Sequence, residues 1–382
     1  MKSSVIVAGA RTPIGRFNGA LKSFSATDLG GLVIKAAIER AGISPSQVQY
    51  LIMGQALQAG AGQGPARQAA IKAGLPLNVP SIVVNKLCIS GLNAIALADQ
   101  LIRADEFDVI VAGGMESMTN APHLLMNSRG GLKLGDAIMK DSMIFDGLFC
   151  SIDHMGMGEA TEKYNSRYNL TREMQDEFAY QSHFRAAEAQ SEGIFSDEIV
   201  PVEIIDRKGN ITLFTADEGV RSETSRETLS GLRPAFSPSG TITAGSASQI
   251  SDGAAAVVVM SKEKAIELGI DWLAEIGSHG MVAGDDASLH EQPSDAIRQA
   301  ARKEGIGIEQ FDFVEINEAF AAVGIASSNS LGLELSAVNI HGGAIALGHP
   351  LGMSGARLAL HIALELKKKG SGYGVADRKS VG

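Results

Sequence analysis

A cysteine and a histidine in this sequence each stand at the start of a similar apolar helical stretch. Leu87-Cys88-Ile89-Ser90-Gly91 opens one stretch, and Leu351-Gly352-Met353-Ser354-Gly355 opens another, 264 residues further on from Gly91 to Gly355. His349 stands just ahead of the second copy, in Gly348-His349-Pro350. If the copies are halves of a duplicated fold, their helix N-termini can converge, where N–H groups and the helix dipole favour negative charge. A thiol that meets an imidazole there becomes a nucleophilic thiolate at neutral pH. Cys88 is therefore the expected nucleophile and His349 the expected base. The N–H groups of the Cys88 turn are expected to face a developing oxyanion. Asn317, in Asn317-Glu318-Ala319-Phe320-Ala321, reads either as a helix N-cap or as an amide that orients a water or an oxyanion.

Strands must carry these residues. Val5–Ala8, Tyr50–Met53 and Asp108–Ala112 read as short strands, the last ending at Gly113-Gly114, and Ser81–Asn85 leads into the Cys88 turn. Helices are expected from Ser25/Thr27 to about Ala41, over Pro65–Ala73 and over Gly91–Arg103. This alternation predicts βαβ units and a mainly parallel sheet. From about Thr119 to Ser248 methionines are frequent and a charged helical stretch spans Thr171–Glu192, which predicts an inserted loop domain. Asp252–Met260 returns to a buried strand. From Trp272 the first pattern recurs, with strands at Phe311–Ile316, Ala337–His341 and Tyr373–Ala376 and helices at Asn317–Ser330 and Leu351–Lys369. At the 264-residue offset Val109–Ala112 falls on Tyr373–Ala376, and both are apolar, as a duplication requires.

The bulk numbers narrow the function. At 382 residues, with 45% apolar residues, 5% aromatics and 44 glycines, the chain suits two or three tightly packed α/β units. A net charge of −10 argues against general nucleic-acid binding. The two cysteines, Cys88 and Cys150, show no disulfide framework, and Cys150 reads as packing. His123, His183, His279 and His361 show no metal-ligand spacing, so no metal site is expected. Gly60-Ala61-Gly62-Gln63-Gly64-Pro65 imitates a dinucleotide loop, but its last position is proline. No signal-peptide pattern, membrane-length apolar run or peroxisomal tripeptide stands out, so the expectation is a soluble cytoplasmic protein.

Six motifs in order carry a resemblance along nearly the whole length: ARTPIGRFNGAL, NKLCISGLNAI, VAGGMESMTNAPHLL, ITAGSASQISDGAAAVV, NEAFA and HGGAIALGHPLGMSGARL. The sequence resembles the thiolase family of acetyl-CoA acetyltransferases and 3-ketoacyl-CoA thiolases. The resemblance implies an α/β fold of two duplicated halves in a layered α-β-α-β-α arrangement. The N-terminal half would span 1–270, with a loop domain inserted at about 119–248, and the C-terminal half 271–382. It implies reversible thiolysis of 3-ketoacyl-CoA, or condensation of two acetyl-CoA, in two stages through an acyl group on Cys88. The His349 equivalent activates the thiol and helps hold the thioester oxygen, with a water positioned by the Asn317 equivalent. Coenzyme A enters as substrate rather than as a resident cofactor. Its expected contacts are His154, Met155, Arg221, Phe236 and Ser248, with Ala319 and Phe320 along the pantetheine. Fatty acid metabolism and a homodimer or homotetramer are implied as well.

One departure stands at the end of the sequence. The family carries a second cysteine in a Cys-Gly-Gly segment after the last strand, as acid and base at the substrate α-carbon. Here Asp377-Arg378-Lys379-Ser380-Val381-Gly382 follows Ala376, with Lys379 at the cysteine's position and Val381 at a glycine's. This predicts a C-terminal half altered or truncated after residue 376, with acyl transfer to Cys88 intact and the carbon–carbon step impaired. Two competing readings are a ketoacyl synthase of the same superfamily and a non-catalytic acyl-CoA-binding protein. NEAFA and the loop-domain motifs favour the thiolase over the synthase.

Overall fold

The computed structural model of the chain describes residues 2–377. Its main sheet is built from β1 (Ser4–Arg11), β2 (Tyr50–Gly54), β3 (Ser81–Val84), β4 (Val109–Ser117) and β5 (Ser251–Ser261), with the short β6 (Ala274–Glu275). The order is β6-β1-β5-β4-β2-β3, and the two residues Gly15–Arg16 pair with the start of β5. β2 runs parallel to β3 and β4, but β5 is antiparallel to both β1 and β4. The sheet is therefore mixed rather than mainly parallel. β5 follows the long middle region instead of a crossover helix, so nothing obliges it to enter in the parallel sense. β4 also runs on through Gly113-Gly114 to Ser117, because β5 pairs along it from Met260 to Asp252.

Period-two alternation sends the strand side chains to two cores. Val109, Val111 and Met115 join Leu29, Val33 and Ile38 of α1 (Ala26–Arg40) and Ala66 and Ala69 of α2 (Pro65–Lys72) on one face. Ile110, Ala112, Val257 and Val259 join Ala94, Ile95 and Ile102 of α3 (Ser90–Arg103) on the other. Each buried aliphatic side chain contributes roughly 1.5–3 kcal/mol.

Between α3 and β5 the chain forms α4 (Met157–Asn165) and α5 (Arg172–Ser191), the latter capped by Thr171. After β6 come α6 (Gln292–Glu304), β7 (Phe311–Ile316), α7 (Ala321–Leu331), α8 (Ala344–Leu347), α9 (Ser354–Lys369) and β8 (Tyr373–Asp377). β7 and β8 pair in parallel, as β2 and β4 do in the first half. α9 shares the second core with α3, while Ile297 of α6 and Leu331 of α7 close over Val314 and Ile316 of β7. The layers run α1/α2, main sheet, α3/α9, β7/β8, α6/α7. Three expected elements differ. α7 starts at Ala321 rather than Asn317, and α9 at Ser354 rather than Leu351. Within 337–341 Val338 makes only an isolated bridge to Val314, not a strand. No helix of the described residues is long and apolar enough to cross a membrane.

The two central helices meet at their first turns. A Cβ on Gly91 would stand 2.6 Å from the Gly352 carbonyl oxygen, and one on Gly114 only 1.8 Å from it. Only hydrogen fits at either position. Gly91→Ala should gain up to about 1 kcal/mol of helix propensity, yet lose more to overpacking, about 1–3 kcal/mol. Urea unfolding should show a net loss, and equal or higher stability would contradict the close approach.

Candidate active site

Cys88 sits between β3 and α3 in a turn that its neighbours hold tightly. Leu87 adopts φ of 51°, a left-handed conformation that costs a non-glycine residue energy and persists only when its surroundings impose it. The surroundings here are polar side chains. The Ser90 hydroxyl accepts from the Lys86 N–H at 2.8 Å and donates to the Leu87 carbonyl at 2.5 Å. Asn85 accepts from the Leu87 N–H at 3.0 Å and donates to the Ala56 carbonyl, also at 3.0 Å. The Ile89 and Ser90 N–H groups close back on Lys86 and Leu87. The amides of 86, 87, 89 and 90 are thus committed inside the turn, which fixes the position of the Cys88 N–H between them. The thiol itself is half-buried against Ala56, Leu57, Met118, Met143 and Leu351.

Leu351 follows His349 by two residues, so the fold brings the cysteine turn and the histidine turn to one seam. His349 is buried, and its N–H donates to the Gln249 carbonyl at 3.1 Å and the Ser251 hydroxyl at 3.2 Å. Its Nδ1 lies 2.5 Å from the Ser354 hydroxyl. That hydroxyl spends its own proton on the Pro350 carbonyl at 2.9 Å. Ser354 must then accept from Nδ1–H, which makes Nε2 the basic nitrogen of the neutral ring. Ser90 and Ser354, 264 residues apart, therefore play matching parts in the two turns.

Glu116 ties the two turns together. Its buried carboxylate accepts from Ala56 N–H at 2.9 Å, Leu57 N–H at 3.1 Å and Gly352 N–H at 2.9 Å. Burial pushes its pKa up to about 7, against the pull of those three N–H groups. Gln249 fastens the approach to His349 by donating to the Gly219 and Ile345 carbonyls at 2.9 and 3.0 Å. Glu318 accepts from Ser182, Asn339 and the Ile345 N–H at 2.6, 2.8 and 3.1 Å.

Asn317 stands at the end of β7, where its N–H donates to the Asp377 carbonyl at 3.1 Å. It is not the N-cap of α7, because Glu318 is drawn into its own buried network and Phe320 takes the cap position. Both polar atoms of its buried amide lack a hydrogen-bond partner among the described residues. An amide buried in that way costs ~1–3 kcal/mol, so it needs a reason.

The expected coenzyme A contacts divide. Ser248 N–H donates to the Ala319 carbonyl at 3.0 Å, Ala247 bridges Phe320, and Phe236 meets Phe320 edge-on at 5.8 Å. Met155 and Phe236 border an open cleft of about 830 Å³ beside α4. Arg221 is exposed, with its N–H donating at 3.2 Å to His183, whose pKa burial and the Arg221 charge push down to about 4. His154 is exposed at φ 53°. Cys150 packs with Ala160, Tyr164 and Ala287, as expected of a structural cysteine. Lys379 and Val381 lie outside the described residues. An apolar cavity of about 230 Å³ opens on the far side of α3, among Ile89, Leu92, Ile297 and Ile362, and contains neither Cys88 nor His349.

Sequence reading passed over Ser354, Glu116, Gln249 and Ser251. Ser354 alone left a local signal, since it repeats Ser90 in the duplicated turn.

The matching families are the N-terminal thiolase domain over residues 4–263 and the C-terminal thiolase domain over residues 270–379. A probable acetyl-CoA acetyltransferase of Mycobacterium leprae is 61% identical over 98% of this chain and 96% of its own length. An acetyl-CoA acetyltransferase of Cupriavidus necator is 48% identical over 99% of this chain and 96% of its own length. The crystal structure of the Bacillus anthracis acetyl-CoA acetyltransferase superposes with a TM-score of 0.95 at 38% identity, covering 98% of this chain and 95% of that one.

Two expectations follow from the geometry. Ser354→Ala strands the buried Nδ1–H of His349, so alkylation of Cys88 by iodoacetamide should slow on the order of 10-fold, with the protein still folded. An unchanged rate would contradict the tautomer. The raised Glu116 pKa means that the folded state binds the extra proton between the ordinary value of 4.5 and about 7. Stability from this group is therefore fully present below that window and is lost as pH rises through it. Urea unfolding at pH 5 and pH 8 should show a smaller difference in Glu116→Gln than in the wild type.

Proposed function

The chain belongs to the thiolase family and is an acyltransferase, and we propose that it moves acetyl groups from acetyl-CoA through Cys88. His349 Nε2 takes the Cys88 proton, and the sulfur attacks the thioester carbonyl. The bond from carbonyl carbon to the coenzyme A sulfur breaks, and the leaving thiolate recovers the proton from His349. The result is acetyl-Cys88 and free coenzyme A. The observation that carries this reading is the Nδ1–Ser354 contact at 2.5 Å, which leaves the base on the other nitrogen.

Asn317 supplies its amide, unpartnered among the described residues, to a water that hydrogen-bonds the thioester oxygen, which accounts for the burial of an otherwise costly group. Ala319, Phe320, Ser248 and Phe236 line the pantetheine side, and Met155, His154 and Arg221 receive the rest of coenzyme A. Arg221 brings the local positive charge that an acidic protein needs for a phosphorylated ligand. The substrate pair is acetyl-CoA and acetoacetyl-CoA, in the cytoplasm and in fatty acid metabolism. Self-association as a dimer or tetramer is supported by the outer edge of β3, which carries the exposed Ile82 and ends the sheet.

The second stage needs a base at the substrate α-carbon, and Lys379 occupies the sequence position where the family has its second cysteine. A lysine ammonium keeps its proton at neutral pH. We therefore expect acyl exchange to outpace condensation and thiolysis. Exchange of labelled coenzyme A into acetyl-CoA should be catalysed, should vanish in Cys88→Ala, and should fall about 10²–10⁴-fold in His349→Ala. Acetoacetyl-CoA thiolysis under the same conditions should be slower than exchange. Exchange that survives Cys88→Ala would sink the acyl-enzyme reading, and thiolysis as fast as exchange would sink the role given to Lys379.

A further inference from the structure

A second cluster of chemistry-bearing side chains lies away from Cys88. His341 begins the Gly342-Gly343 turn, while His361 and Glu365 sit one helical turn apart on α9. His341 Nδ1 is 3.0 Å from His361 Nε2, with the two ring planes at 87°. One ligand atom from each of the three side chains lies within 4.8 Å of the others. A tetrahedral zinc ion with nitrogens at ~2.0–2.1 Å holds its donor atoms about 3.3 Å apart, so small side-chain shifts suffice.

The surroundings fit a cation. His361 Nδ1 lies 3.1 Å from Glu198 Oε2, and the other oxygen of Glu198 accepts from Arg11 Nε at 2.7 Å. A carboxylate behind an imidazole is how metal sites fix ring orientation and raise ligand basicity. Arg11 and Arg357 face the acids Glu198, Asp217 and Glu315, and all five are buried. Lys368 reaches Glu365 at 3.1 Å from the solvent side, so the carboxylate is not sealed off. A void of about 10 Å³, lined by Glu315, His361 and Glu365 among others, adjoins the cluster. That is about the size of one water or ion.

We propose that His341, His361 and Glu365 form a binding site for one divalent transition-metal ion of the zinc type. Two imidazoles and a carboxylate suit zinc better than magnesium or calcium, which take oxygen ligands. The ion takes the place of the hydrogen between the two ring nitrogens, and His341 stays a neutral ligand by carrying its hydrogen on Nε2 instead. Loading ties His341, at the head of the segment leading to His349, to α9 and through Glu198 to Arg11 of β1. The expectation of no metal site came from spacing along the chain. Only the pair His361 and Glu365 is local, and folding brings His341 to them.

The test is equilibrium dialysis of zinc chloride against chelator-treated Cys88→Ser protein, a background that removes the catalytic thiol as a competing ligand. One zinc per chain is expected, with a rise in melting temperature. Binding should weaken at least ~10-fold in His341→Ala and in Glu365→Gln. Both positions are only partly buried, so the variants should fold, and circular dichroism checks that they do. Absence of stoichiometric zinc, or zinc that binds equally well to folded His341→Ala and Glu365→Gln, would overturn the site.

Discussion

The close contact between the first turns of α3 and α9 is the constraint on which the site depends. Gly91 and Gly114 admit the Gly352 carbonyl at a distance no Cβ allows, and the Glu116 carboxylate binds the Gly352 N–H from the other side. The same carboxylate holds Ala56 and Leu57, and those two residues wall in Cys88. A single buried acid thus couples the cysteine turn to the histidine turn. Its raised pKa reflects the cost of placing it there, which the three N–H groups offset only in part. The central layer of α3 and α9 is therefore a positioning device as much as a core.

Polarity at the seam is set by partners one shell away from the reacting atoms. Ser354 takes the Nδ1 proton of His349 because its own proton is already given to Pro350. Asn317 keeps both ends of its amide unpaired among the described residues although it is buried. Structures rarely tolerate that cost without a ligand or water to meet it. A base with a fixed tautomer and a buried amide are both groups suited to thioester chemistry, in which charge appears on oxygen and a proton leaves sulfur.

Much of this was legible in the sequence because it is local. The apolar runs at Val109 and Val257, the cap at Ser25 and the repeat of Ser-Gly at Ser90 and Ser354 each announce their element within a few residues. The direction of β5 was not legible, since it depends on where the middle region returns the chain to the sheet. Glu116 gave no local sign either. Its partners lie 60 and 236 residues away, and only the fold assembles them. Asn317 misled as a cap because Glu318, the next residue, is bound by Ser182 and Asn339 from distant parts of the chain. His341 and His361 are invisible as a pair for the same reason.

The central claim is that this seam makes Cys88 an acyl carrier with His349 as its base. The most direct measurement is the intact mass of the protein, acid-quenched within milliseconds to seconds of mixing with acetyl-CoA. The account predicts one acetyl group per chain, located on Cys88 by peptide mapping, formed far more slowly when His349 is alanine. Contradiction would be a protein that binds coenzyme A yet never carries the acetyl group, or one that carries it on a residue other than Cys88.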